Sequence, residues 1–224
     1  LVGSEMCIRD SIYKVKSDGD HNGYYNDALI QGFNRISKRG PDNTECRLEN
    51  NVFLGFHRLS INDISSAGNQ PMALNDYYLI CNGEIFNHEK IIQEYNFTTN
   101  SKSDCEVILH LYNYLINKIG QENENPYNDV MNILCNKLDG EFSFVLYDTK
   151  RNNVYVARDP YGVRPLFIGN TDNGDYVFSS GLKGLNNLAT DGFKIAQLVL
   201  DWRELTKLKS TYTDASNQEL VEQF

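Results

Sequence analysis

The stretch Leu79-Ile80-Cys81-Asn82-Gly83-Glu84-Ile85-Phe86-Asn87-His88 joins an apolar run to a cluster of polar residues. The apolar and aromatic residues from Tyr77 to Cys81 predict a buried strand. Asn82-Gly83 predicts a turn at its end, and Glu84 adds a carboxylate there. An amide side chain and an unhindered backbone N–H can together hold a developing oxyanion. A plain hairpin turn is the alternative for an isolated Asn-Gly pair.

Length and charge set bounds on the class of protein. The chain has 224 residues, 41% of them hydrophobic, enough for one domain with a real core and a fragment of a second. The net charge is −9 and no Lys/Arg cluster occurs, which argues against nucleic acid or an anionic membrane as partner. No apolar run approaches the length of a membrane span.

Neither the cysteines nor an acidic loop predicts a metal site. The five cysteines are scattered and none forms a C-x-x-C pair, so neither zinc nor a disulfide framework is indicated. An odd number of scattered cysteines fits a reduced, cytoplasmic compartment. Asp18 to Gly23 is similar to the start of a calcium loop, but Leu29 stands where such a loop needs glutamate, so we predict a polar turn.

Hydrophobic periodicity predicts four helices. The third should open with a capping box in which Ser103 caps and Glu106 reciprocates. The predicted helices are Asn26 or Asp27 to Ser37, His88 to Tyr95, Ser103 to about Asn117, and a short helix around Val130 to Leu138.

Alternating patterns predict the strands. Early strands are predicted at Ile12 to Val15 and Val52 to Phe56. Four later strands, divided by turns, predict one antiparallel meander, with a rigid Pro/Gly turn braced by a salt bridge at Arg158 to Pro165. These strands are Glu141 to Asp148, Val154 to Asp159, Pro165 to Gly169 and Tyr176 to Ser180.

Two charged residues at predicted element ends are candidate ligand contacts. Arg58 follows a buried strand, where a guanidinium can grip a carboxylate with two parallel hydrogen bonds. The alternative is that it braces a loop or pairs with Asp63. Asp104, in a first helical turn, either stabilises the helix or holds a substrate ammonium. We expect His57 to be a packed or surface imidazole.

Five stretches together resemble the N-terminal glutaminase domain of glutamine-hydrolysing asparagine synthetase, and the resemblance covers about residues 12 to 185. That domain is a class II glutamine amidotransferase of the N-terminal-nucleophile hydrolase superfamily. The five stretches are Arg39 to Asp42, Gly55 to Ile61, Cys81 to His88, Ser103 to Ile108, and Asp139 to Asp148 leading into Arg158 to Phe167.

The resemblance implies a fold and a set of roles. The fold is α+β, a four-layer αββα sandwich of two antiparallel sheets between helices. Arg58 would bind the α-carboxylate of L-glutamine, with the backbone of Leu59 and Ile61 helping to position it. The α-ammonium would be held by Asp104 and Glu84, and the oxyanion hole would consist of Asn82 and Gly83.

The nucleophile that the resemblance implies is a cysteine at the mature N-terminus, whose own α-amine is the base. Cys7 is the candidate here, but it follows Met6, precedes Ile8 instead of glycine, and has no free α-amine as written. The string at 1–11 resembles a translated sequencing-adapter scar, so we expect that the native Cys-Gly start was overwritten there. Cys7 as written therefore does not match the nucleophile that the resemblance implies.

The resemblance also implies a partner. Ammonia would pass to a synthetase domain, in cis or in trans, that uses ATP and magnesium to amidate aspartate, while the glutaminase domain itself needs no cofactor. We expect residues 12–190 to form that domain and residues 191–224 to be a tail or the start of a truncated following segment. Two other interpretations stay open: a non-catalytic glutamine-binding or regulatory module, and the glutaminase half of another class II amidotransferase.

Overall fold

A computed structural model describes residues 10–15, 27–50, 52–60, 63–119, 127–171, 175–188, 191–194 and 199–201. Within these ranges the strands form two antiparallel sheets. The first sheet has the order β10-β8-β9-β1-β3-β2. Its strands are β1 (Asp10–Val15), β2 (Asn43–Glu49), β3 (Val52–Arg58), β8 (Phe167–Asn170), β9 (Tyr176–Ser179) and β10 (Asp191–Lys194).

The second sheet has the order β11-β7-β6-β5-β4. Its strands are β4 (Met72–Leu74), β5 (Tyr77–Ile85), β6 (Gly140–Asp148), β7 (Asn153–Arg158) and β11 (Val199–Asp201). The helices are α1 (Asp27–Arg35), α2 (His88–Tyr95), α3 (Glu106–Ile119), α4 (Tyr127–Lys137) and α5 (Leu182–Leu185).

Three apolar clusters define four layers. One lies between the sheets and includes Leu54 of β3 and Ile80 of β5. Another joins α3 and α4 to the outer face of the second sheet, through residues such as Leu111. The last packs α1 and α5 on the outer face of the first sheet, around Phe33 and Phe53. The predicted αββα sandwich is therefore confirmed.

The prediction that the strand ends in a turn at Asn82-Gly83 was wrong. β5 runs from Tyr77 to Ile85, straight through both residues. Gly83 is required by crowding and not by a turn, because a Cβ there would lie 2.2 Å from the Glu141 carbonyl oxygen and 2.6 Å from Phe142 Cα. The turn follows at residues 86–87.

The single four-strand meander was also wrong. β6 and β7 form a hairpin in the second sheet, whereas β8 and β9 form a hairpin in the first. The segment between β7 and β8 crosses from one sheet to the other. All four strands carry similar apolar patterns because each is covered by another layer, so periodicity alone does not separate the two hairpins.

The predicted capping box at Ser103 was wrong as well. The helix begins at Glu106, whose carboxylate accepts the backbone N–H groups of Asn100 and Ser101, both at 2.7 Å. The Ser103 hydroxyl is buried and makes no hydrogen bond among the described residues. The carboxylate still closes the start of α3, but it does so through the loop that precedes Ser103.

The remaining element predictions hold, including β1, β3 and α2, with small shifts at the ends. The sequence pattern missed β2, because this edge strand is exposed on both faces and shows no alternation. No helix in the described part of the chain is long and apolar enough to cross a bilayer.

Candidate functional site

The strands that carry Arg58 and Asn82 finish at the same end of the sandwich. Asn82 pairs with Ser143, which pairs with Arg158 at the end of β7. In the other sheet, Phe167 at the start of β8 pairs with Ser179 of β9. Ser179 pairs with Ile12 of β1, and Ile12 pairs with Gly55 of β3, so these four residues form a row across the sheet. The crossing segment that joins Arg158 to Phe167 therefore brings these two rows to one end.

Arg58 and Asn82 also face the same layer. Side chains alternate between the faces of a strand. Arg58 shares its face of β3 with Leu54, and Asn82 shares its face of β5 with Ile80; Leu54 and Ile80 belong to the cluster between the sheets. The guanidinium and the amide therefore extend from opposite sheets into the space between them. Both are buried, at 3% and 1% exposure.

The backbone of β5 divides its N–H groups between two directions. Phe86 donates to the Asp139 carbonyl at 2.8 Å, and Thr149 donates to the Asp76 carbonyl at 2.9 Å. These bonds place the even-numbered residues of β5 in hydrogen-bonded pairs with β6. Since the pattern alternates in an antiparallel ladder, the odd-numbered residues point their N–H groups at the opposite edge.

That opposite edge is only partly covered. β4 pairs with β5 from Tyr77 to Leu79 and then ends. Beyond it, the Cys81 N–H is accepted by the Gln70 side chain at 2.6 Å, and the Ile85 N–H is accepted by Asp104 Oδ2, also at 2.6 Å. Gly83 lies between these two, and no acceptor for its N–H is found in the described ranges.

Asn82 adds a side-chain amide beside this N–H. Its Oδ1 is buried and has no hydrogen-bond partner among the residues that the structure describes. A buried polar atom without a partner is costly and uncommon in a native protein. Such atoms occur at sites that receive a ligand or an ordered water, which fits a binding site at this point.

Two acids flank the end of β5. Asp104 is 1% exposed and is tied to the strand by the bond to Ile85 N–H. The thiol of Cys105 approaches both the Gly83 carbonyl oxygen, at 3.7 Å, and Asp104 Oδ2, at 3.9 Å. Glu84 is half-buried, and its carboxylate makes no hydrogen bond or ion pair within the described ranges.

Arg58 braces the loop that follows β3, which is the structural role predicted as the alternative to ligand binding. Its Nη1 donates to the Ser65 carbonyl at 2.7 Å and to Asn69 Oδ1 at 2.5 Å. Its Nη2 donates to the Asp63 carbonyl. These contacts fix the guanidinium plane at the end of β3.

Asp63 has a second set of contacts. Its Oδ1 accepts the Ser65 N–H and its Oδ2 accepts the Lys102 N–H, both at 2.8 Å. The Ser65 hydroxyl and then these two backbone N–H groups lower the pKa of Asp63 to about 2. The Arg58 loop is thereby joined to the segment that carries Asp104.

The loop at Gly40 to Asp42 holds the backbone at Arg58. A Cβ on Gly40 would lie 2.2 Å from the His57 carbonyl oxygen, so only glycine fits there. The Asp42 N–H donates to the Arg58 carbonyl at 2.9 Å, and the Asp42 carboxylate accepts the Ser60 N–H at 2.7 Å. Leu59, between these contacts, is half-buried.

Two candidates named from the sequence, Cys7 and Ile61, lie outside the described residues. The position of β1 is relevant to Cys7, which precedes it in the sequence. Asp10, its first residue, pairs with His57, so the strand starts at the same end of the sheet as Arg58.

His57 is a packed side chain, as predicted. Its ring stacks on Phe33 with centroids 3.9 Å apart, its Nε2 donates to the Phe33 carbonyl at 2.9 Å, and its Nδ1 lies 2.8 Å from Thr44 Oγ1. Burial lowers its pKa, against the opposing effect of the bond to Phe33. The imidazole packs against Phe33 of α1 and therefore faces away from the layer between the sheets.

The crossing segment at Arg158 to Pro165 is braced as predicted. The Asp159 carboxylate accepts the N–H groups of Val163 and Arg164, at 3.0 and 3.2 Å. Arg164 also forms an ion pair with Glu141 at 3.2 Å. This rigid loop closes the end of the second sheet next to Phe142, whose carbonyl accepts the Asp159 N–H.

Sequence patterns missed Gln70 and Cys105 as parts of this site. Gln70 is 1% exposed, and its side-chain amide pairs with both backbone groups of Cys81 in place of a strand. The use of a side chain in place of a neighbouring strand is visible only in the three-dimensional structure. No group of three or more His, Cys, Asp or Glu side chains that could hold a metal ion is found in the described part of the chain.

Known proteins are similar to this chain in sequence and in fold. The family model of the glutamine amidotransferase domain matches residues 6–222. A probable glutamine-hydrolysing asparagine synthetase of Acanthamoeba polyphaga mimivirus is 38% identical over 167 residues, or 72% of this chain and 28% of that protein. The human glutamine-hydrolysing asparagine synthetase is 39% identical over 186 residues, which cover 78% of this chain and 30% of that protein.

This chain therefore spans less than a third of the length of these relatives. Among solved structures, the glutamine phosphoribosylpyrophosphate amidotransferase of B. subtilis superposes with a TM-score of 0.57. It is 16% identical, and the match covers 84% of this chain and 45% of that one, so it shows the shared fold. The chain belongs to the glutamine amidotransferase domain family.

Proposed function

We propose that this domain hydrolyses L-glutamine to glutamate and ammonia. The observation that carries the proposal is the Gly83 N–H, which faces an uncovered strand edge beside the buried Asn82 amide. An N–H and a side-chain amide at one point are the donors that stabilise an oxyanion. The family to which the chain belongs acts on glutamine, whose side-chain amide gives such an oxyanion when it is attacked.

The chemistry would follow nucleophilic catalysis. A cysteine thiolate ahead of β1 attacks the carbon of the glutamine side-chain amide, and the carbonyl oxygen becomes an oxyanion held by Asn82 and Gly83. Collapse of this intermediate breaks the C–N bond, and the nitrogen leaves as ammonia after taking up a proton. Water then hydrolyses the thioester to glutamate and restores the thiol. Cys7 is the candidate nucleophile in the chain as written.

The α-carboxylate and the α-ammonium of glutamine each need a binding group of the opposite charge. Arg58 is proposed for the α-carboxylate, because a planar guanidinium matches a carboxylate. Asp104 and Glu84 are proposed for the α-ammonium, and the backbone of Leu59 and Ile61 is proposed to help position the ligand. In support, Arg58 projects into the layer between the sheets and both acids flank the end of β5.

The wider role comes from the relatives. We propose that the ammonia is used by a synthetase domain, in cis or in trans, which amidates aspartate with ATP and magnesium. No cofactor is assigned to the glutaminase domain itself. A cytoplasmic location is proposed because Cys46, Cys81 and Cys135 are free thiols.

Glutamate release tests the proposal. A variant whose mature chain begins with a cysteine directly before β1 is incubated with L-glutamine, and glutamate and ammonia are measured. We expect both products in equal amounts, and we expect Asn82→Ala to reduce their rate by about 100-fold or more. If L-glutamine binds but is not hydrolysed by this variant, the domain is a non-catalytic glutamine-binding module.

A further inference from the structure

The two charged groups proposed for the ends of the α-amino acid lie on different elements. Arg58 ends β3 of the first sheet, whereas Asp104 precedes α3 and is bonded to the second sheet. A ligand that bridges the two groups needs them at a fixed separation. A direct contact between the Arg58 loop and the Asp104 segment would help to fix that separation.

Asp63 makes that connection. Its carbonyl accepts Arg58 Nη2, its Oδ1 accepts the Ser65 N–H at 2.8 Å, and its Oδ2 accepts the Lys102 N–H at 2.8 Å. The side chain is 6% exposed. A single residue thus contacts the guanidinium, the loop around it and the segment two residues before Asp104.

The packing around this junction is tight. A Cβ on Gly68 would lie 2.5 Å from Arg58 Nη2 and 3.0 Å from Asp63 Cβ. The guanidinium, the glycine and the aspartate are therefore in close contact, and a displacement of one displaces the others.

We propose that Asp63 is a positioning residue for L-glutamine, which sets the spacing between the site for the α-carboxylate at Arg58 and the site for the α-ammonium at Asp104. The inference rests on the proposed function. It concerns a residue that does not touch the reacting amide, so its loss alters the recognition of the amino acid end and not the chemistry at Asn82 and Gly83.

The substitution Asp63→Asn tests the role. Both carboxylate oxygens accept backbone N–H groups, and an amide has only one acceptor oxygen, so its NH₂ group must face one of these N–H groups. The loop and the Lys102 segment then move apart. We expect the KM for L-glutamine to rise about tenfold in a chain with an N-terminal cysteine, while kcat changes less than about threefold, since roughly one charged hydrogen bond is lost.

The readout separates positioning from a general loss of structure. If Asp63 only stabilised the fold, Asp63→Asn would lower the amount of active protein, so kcat would fall and KM would stay. Calorimetric titration of the unaltered chain and its Asp63→Asn variant with L-glutamine gives a second measure, which does not depend on the nucleophile. We expect the Kd for L-glutamine to rise by the same factor as KM, about tenfold.

The control is Asp76→Asn, which removes the same charge from an exposed turn and should leave both constants at the wild-type value. In Arg58→Ala, adding Asp63→Asn should cost less than twofold, because the group that it positions is already gone.

An Asp63→Asn variant with wild-type KM and Kd, in a protein where Arg58→Ala weakens L-glutamine binding, would overturn this inference and leave the proposed function intact. Failure of the wild-type chain to bind L-glutamine would instead overturn both.

Discussion

The carboxylate of Asp104 accepts the backbone N–H of Ile85 at 2.6 Å, across a sequence separation of 19 residues. This bond, with the Gln70 bond to Cys81, occupies the edge of β5 on both sides of Gly83. Between these two bonds lies the N–H of Gly83, for which the described residues provide no acceptor. An acid proposed to bind the substrate therefore also helps to shape the proposed oxyanion hole.

Asn82→Ala should separate catalysis from stability. Because Asn82 Oδ1 has no partner among the described residues, its removal leaves no broken hydrogen bond there. We expect kcat to fall by about 100-fold or more, while the free energy of unfolding, measured by urea denaturation, changes by less than about 1 kcal/mol. Unchanged turnover would remove Asn82 from the oxyanion hole.

Arg58→Ala should weaken L-glutamine binding. Loss of hydrogen bonds to a charged group, worth about 1.5–3 kcal/mol, corresponds to a rise in KM of about 10- to 100-fold with a modest loss of kcat. The control is Arg58→Lys, which keeps the charge but loses the planar fork, and which we expect to restore KM only partly. A KM that stays at the wild-type value in Arg58→Ala would contradict the assignment.

Gly83→Ala should destabilise the fold. The added methyl group would overlap the Glu141 carbonyl oxygen and Phe142 Cα, which are backbone atoms and cannot rotate away. We expect the free energy of unfolding to fall by about 1–3 kcal/mol, as for other overpacked sites. Gly181→Ala is the matched control, since its nearest neighbours are side-chain atoms at 3.2 and 3.4 Å. Equal effects of the two substitutions would rule out crowding as the reason for Gly83.

Stability should depend on pH through His57. Burial lowers the pKa of His57 in the folded state below its unfolded value of about 6.5. The unfolded chain then binds a proton first, so stability falls as the pH drops below about 6.5 and levels off below the folded pKa. Denaturation midpoints between pH 7 and 5 should show this slope, and His57→Gln should reduce it. The same slope in both proteins would assign the effect to other groups.

Sequence patterns predicted much of this fold because the core strands and helices carry strong periodicity. The strand Val52 to Phe56, where every residue is buried, and the helix α3, with Val107, Ile108, Leu111 and Leu115 on its buried face, are clear examples. The sheet to which each later strand belongs could not be predicted, because β6 to β9 are similar in pattern and are separated only by the crossing segment.

In the candidate site, too, some features could be predicted from the sequence and others could not. Arg58, at the end of β3, and Asn82, inside β5, can be picked out as candidates from the sequence because each is a polar residue that follows an apolar run. The bond from Gln70 to Cys81 and the bond from Asp63 to Lys102 could not be predicted, since each joins a side chain to a backbone group that is distant along the chain. The prediction of a turn at Asn82-Gly83 failed because glycine is needed there for close approach of β6.

A crystal structure of the domain with L-glutamine bound tests most directly whether Arg58, Asn82, Gly83, Glu84 and Asp104 line one binding site. We expect the α-carboxylate to contact Arg58, the α-ammonium to contact Asp104 and Glu84, and the side-chain carbonyl oxygen to lie within hydrogen-bond distance of the Asn82 amide and the Gly83 N–H. Glutamine bound elsewhere on the domain, or with its side chain directed away from Asn82 and Gly83, would contradict the proposed site.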